Sequence, residues 1–143
     1  MADRLSSKIN RPGPIARKRD LVVLAGWIQP NDTTDLVASE IACPGISSVV
    51  YNAATGQLLV TMDASYADIS VQATYQKVAG DTEDRRVDVA TVTPGTGSVG
   101  TKFILQSSLS STGAPVAWAA SASTKRVHLC IVAALKSAFT NTN

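Results

Sequence analysis

One histidine and two cysteines are the only imidazole and thiols in 143 residues, and their scarcity removes much chemistry at once. Cys43, Cys130 and His128 fall short of the four ligands of a structural zinc site and would need carboxylates brought in from distant parts of the chain. No metal and no cofactor are therefore expected. A Ser-His-Asp arrangement needs an exposed, oriented imidazole, whereas His128 falls inside the apolar run 127–135, where a neighbour or the sheet surface would satisfy it. The expectation is a protein that is not an enzyme. No stretch reaches the ~18 apolar residues of a membrane helix, and no apolar core follows the charges at the N-terminus, so neither a membrane partner nor a secretory signal is expected. Both cysteines have apolar neighbours, where a free thiol behaves as a small hydrophobe; no disulfide and a cytosol-like compartment follow.

Net charge is also small, +2, but it is unevenly placed. Arg4, Lys8, Arg11, Arg17, Lys18 and Arg19 stand against Asp3 and Asp20, a local excess of four positive charges that leaves the remainder two negative. Pro12, Gly13 and Pro14 lie among them and resist both helix and ladder pairing. Residues 1–19 read as an extended basic arm, and its six cations are candidate partner-binding residues for an acidic protein surface or nucleic acid. A solvated tail is the plainer alternative. Outside the arm the basic residues are scattered and aromatics make up only 5%, which disfavours nucleic acid as a partner of the body.

Residues 20–143 read as one domain, long enough to bury a core without staples. The stretch from Val127 to Leu135 has His128 as its one strongly polar side chain and predicts a central strand, covered on both faces. Leu21–Gln29 predicts a first strand in which Gly26 marks a bulge or a close backbone approach. Residues 33–43 fit neither period. Ile46–Tyr51 and Gln57–Met62 flank Asn52–Gly56 as a hairpin, and Ile69, Val71, Ala73 and Tyr75 alternate with Ser70, Gln72, Thr74 and Gln76 as a half-buried strand. Strands over 86–92 and 101–106 follow, joined by a loop whose glycines lack the Lys-Ser or Lys-Thr and the helix of a phosphate cradle. Ser107–Lys125 reads as a long irregular stretch in which Trp118 either plugs an end of the core or sits at a partner interface. Asp32 with Asp35, and Asp81, Glu83, Asp84 with Asp88, read as solvated turn residues rather than acid/base pairs. Seven or eight short strands and no helical period predict an all-β sandwich or jelly roll.

Several pieces in order, Gln57–Asp63, Tyr66, Ile69–Thr74, Ser111–Pro115 and Arg126–Val132, resemble small virion proteins of tailed bacteriophages that decorate the capsid as cement proteins. The likeness spans residues 46–135 and is one of strands and turns, with no active-site motif. It implies a structural protein on the outside of the head, bound to the major capsid protein and to itself as a homodimer or homotrimer, and assembled in the host cytoplasm. The arm before Asp20 and the Ala-rich end of the last strand have no counterpart in the family's pattern. Two rivals stand beside it. A receptor- or glycan-binding tip of a phage fibre should cluster aromatics on its loops, where Trp118 alone offers itself, and a jelly-roll enzyme should carry a His-rich metal site.

Overall fold

The computed structural model describes residues 21–31, 34–76, 84–118 and 126–135. The arm 1–19, with its six cations, and Asp32, Asp81 and Glu83 lie outside the described residues. Among the described residues, runs of β-branched and aliphatic residues, cut by Gly, Pro and Asn, form eight strands. These are β1 (Leu21–Ile28), β2 (Ile41–Ala42), β3 (Ile46–Asn52), β4 (Gln57–Met62), β5 (Tyr66–Tyr75), β6 (Arg85–Thr93), β7 (Lys102–Leu109) and β8 (Val127–Leu135). One turn of 3-10 helix, Ala38–Glu40, is the only helical element among the described residues.

Two antiparallel four-stranded sheets result, ordered β2-β1-β8-β5 and β3-β4-β7-β6. Eight strands in two sheets of four agree with the expected all-β sandwich. The hairpins β3–β4 and β6–β7 each stay within one sheet, while the β4–β5 and β5–β6 connections pass between sheets. One core fills the space between, with Ile28, Val49, Leu58, Val60, Phe103, Leu105, Val127 and Ile131 almost wholly buried. Period-two alternation supplies it from both sides.

Gly26 is a close approach, as its position in an apolar strand implied. A Cβ there would stand 2.1 Å from the Ala42 carbonyl oxygen and 2.6 Å from the Cys43 Cα, so the backbone beyond β2 closes over this glycine. Cys43 is thereby buried in the core. Gly56 ends the β3–β4 hairpin with φ +67°, a left-handed conformation that a side chain would strain.

Three expectations need correction. β8 is central, but among the described residues only one of its faces is covered: Val127, Leu129, Ile131 and Ala133 are buried, while His128 and Val132 are exposed and Cys130 and Ala134 half-buried. β7 runs on to Leu109, three residues past the expected end, because the chain after its turn returns beside it: Leu109 N–H donates to Ala114 O at 2.9 Å and Val116 N–H to Ser107 O at 2.9 Å. Asp88 lies in the middle of β6, not at a solvated turn.

Candidate interaction surface

The outward residues of the β1–β8–β5 sheet form rows fixed by the register. Val23 pairs with Val132 and Ala25 with Cys130, and on the other side of β8 these meet Ser70 and Gln72. One end of the face carries Leu21, Ala134 and Asp68; the other carries Trp27, His128 and Thr74. The surface is therefore apolar along β1 and β8 and polar along β5. Val23 is 65% exposed, with Leu21 at 39% and Val132 at 38%. Single exposed aliphatics are ordinary, but paired rows of them form a patch that water covers poorly.

Arg126 frames this face, its guanidinium carbon 3.9 Å from the Trp27 ring centroid, a cation–π contact that joins the two side chains. His128 places Nε2 3.3 Å from Gln76 Oε1. β2 pairs only with Trp27 and Ile28, so among the described residues most of β1 has a strand on one side alone. The basic arm joins the chain just before Leu21, at the Asp68 end of the face.

The two thiols part company here. Burial pushes the Cys43 thiol above its ordinary value, and Cys130 adds a smaller push in the same direction. Cys130 is half-buried on the outer face. A maleimide added to dilute native protein near neutral pH is expected to modify one thiol, Cys130, quickly and the second only on unfolding, because attack requires both access and thiolate. Mass spectrometry of the partly labelled chain checks this; equal labelling of both cysteines would contradict it.

Trp118 is fully buried, its indole Nε1–H donating to Gly56 O at 2.9 Å. The side chain belongs to the core cluster. Near it lies a cavity of about 220 Å³ lined by Tyr51, Thr55, Gly56, Gln106 and Pro115–Ala117. Ser108 Oγ donates to Asp88 Oδ2 at 2.6 Å, and Arg86 Nε reaches the same oxygen at 3.1 Å. Arg86 and Asp88 lie on β6 and Ser108 on β7, so this trio ties the two strands together, and His128, on β8 of the other sheet, takes no part in it. A second polar knot, Thr101 Oγ1, accepts from Tyr66 N–H at 2.8 Å and Gly95 N–H at 3.2 Å, pinning the β6–β7 loop to the start of β5.

Sequence reasoning missed the outer face itself. The signal was present, since Val23, Ala25 and Trp27 alternate with inward residues just as Cys130, Val132 and Ala134 do, but an unbroken apolar run looks the same whether its second face meets protein or water. Comparison with known proteins found no family, no curated protein and no solved structure that matches this chain.

Proposed function

We propose that this chain is a structural virion protein that binds the outside of a phage capsid and cements neighbouring major capsid subunits. The observation that carries the reading is the exposed apolar face of β1 and β8 beside the root of the basic arm: a surface suited to contact, joined to a tether of opposite charge to an acidic partner. Such a protein adds interface without chemistry, and many symmetric copies turn a modest contact into a large resistance to internal pressure. The likeness of strands and turns to phage decoration proteins supports the same reading.

The arm acts as an electrostatic clamp on the capsid in this reading. Deleting residues 1–19 is expected to weaken cosedimentation with capsids that lack the protein, and the deficit should shrink as salt rises from about 0.05 M to 0.5 M, because screening removes what the arm contributes. Equal binding by truncated and full-length chains at all salt concentrations would remove the clamp. Copy counting by mass spectrometry of purified virions separates cement, present in hundreds of copies, from a fibre tip.

The cavity beside Tyr51 favours a second reading, a glycan-binding tip domain. At about 220 Å³ it is smaller than most ligand sites and would hold little more than one sugar ring on Tyr51, Thr55 and Gln106. Glycan-array binding lost on Tyr51→Ala would support it.

A further inference from the structure

The strands at the ends of a sheet leave a row of backbone groups that need a partner or a guard. β2 is only two residues long. β3 is closed by Leu36 N–H, which donates to Val49 O at 3.0 Å, and by the Asp35 carboxylate, which accepts Tyr51 N–H at 2.8 Å. β6 carries Arg85, Arg86, Asp88 and a bulge between Val89 and Thr91. β5 is the exception: it pairs with β8 alone, and from Ile69 to Tyr75 it has no charge, glycine, proline or bulge. Gln76 N–H donates to Arg126 O across the ladder, and antiparallel alternation then turns the N–H and C=O of Val71 and Ala73 away from β8. Ile69 N–H, on the same edge, is met by the Asp68 carboxylate at 2.9 Å; Val71 and Ala73 have no such partner among the described residues. Their side chains are half-buried, whereas Ile131 and Leu129 opposite them on β8 are buried, so the core is open along this edge.

We propose that residues 4–10 of the basic arm add to this edge as a strand antiparallel to β5, within the same chain. The proposal concerns the free chain and goes beyond the capsid reading. Leu5, Ser7 and Ile9 alternate with Arg4, Ser6, Lys8 and Asn10, so such a strand sets Leu5 and Ile9 over the open core and its cations toward water, where charge guards an edge. Pro12, Gly13 and Pro14 end the pairing and turn the chain. Residues 15–20 remain to cross the end of the sheet to Leu21, which lies in one row with Ala134 and Asp68, at the start of β5. Three strand spacings are about 14 Å, and six extended residues reach about 20 Å.

A chain that enters β1 from that end runs antiparallel to β5 before the crossing. Parity then sets Ser7 opposite Val71, Leu5 opposite Ala73 and Ile9 opposite Ile69. In this register Lys8 lies opposite Ser70 and diagonal to Asp68, an opposite charge on the same face. The open part of β1's own edge is a poorer seat for the same segment, because a hairpin turning at Gly13 sets residues 5–11 against 15–21, with Lys8 facing Lys18. Arg4 and Lys8 stay on the outer side of the added strand, so the arm remains a cationic surface for an acidic partner.

Amide hydrogen exchange of the full-length chain, followed by NMR, tests this at two residues. The Val71 and Ala73 amides are expected to exchange at least about tenfold more slowly than in Ser7→Pro, whose ring removes the N–H that meets Val71 O, and than in a chain lacking residues 1–10. Both changes lie in the arm, so β7 amides that keep their rates show the sandwich intact. Equal Val71 and Ala73 rates in the three proteins would overturn the proposal. So would protection that grows with protein concentration alongside dimers in sedimentation velocity, since the arm would then serve the edge of a second copy. Capsids enter neither measurement, so the outcome is independent of capsid attachment.

Discussion

Ile131→Asp is expected to abolish the cooperative melt of the domain. Ile131 is 0% exposed, and its strand neighbours are Leu24 on β1 and Val71 on β5, so no polar group within the ladder can receive a carboxylate. Burying that charge unpaired costs several kcal/mol, comparable with the whole ~5–15 kcal/mol stability of an ordinary domain. The adjacent residue gives the control. Val132 points the other way and is exposed, so Val132→Asp should fold, and Gln72→Asp, at an exposed position of β5, should change stability by under about half a kcal/mol. Circular dichroism melts of the three variants decide the matter. If Ile131→Asp melts within a few degrees of the parent, β8 is not the strand on which the two-layer core depends.

The parts of this fold that were legible in the sequence are those whose signal is local. Gly56 at a left-handed turn announces the β3–β4 hairpin, and the alternation from Ile69 to Tyr75 announces β5, with Ser70, Gln72 and Thr74 exposed as their polarity requires. The end of β7 was not legible. Ser107 and Ser108 look like loop residues, yet both are buried, because backbone pairing with residues 114–116 and the Asp88 carboxylate reach them from elsewhere in the chain. Tyr66–Asp68 joined β5 for a similar reason: β8 extends to Leu135 and offers a partner across a register shift.

Residue parity explains the site as well as the fold. Cys43 and Cys130 have equally apolar sequence neighbours, but Cys43 closes over Gly26 inside the sandwich while Cys130 pairs with Ala25 and turns outward. Which way a strand faces is set by its register against its partners, a non-local quantity. The same ambiguity hid the outer face: once β1, β8 and β5 are aligned, its apolar stripe and its charged ends follow from residue numbers alone.

Trp118→Ala is expected to cost about 3–5 kcal/mol, the usual range for removing a fully buried large aromatic side chain from a core. Two losses combine. The indole fills the space between the chain after β7 and the tip of the β3–β4 hairpin, and its Nε1–H is the donor to the Gly56 carbonyl. Truncation empties the space and leaves that carbonyl without its donor, which itself costs about 1–3 kcal/mol where water cannot enter. Trp118→Phe separates the two: it restores much of the packing without the N–H, and should fall between the parent and the alanine variant. Urea denaturation followed by far-ultraviolet circular dichroism gives the comparison without relying on the tryptophan being removed. An alanine variant that unfolds at the parent's midpoint would show that the side chain is not part of the core, and would leave the partner interface as the remaining one of the two roles expected for Trp118.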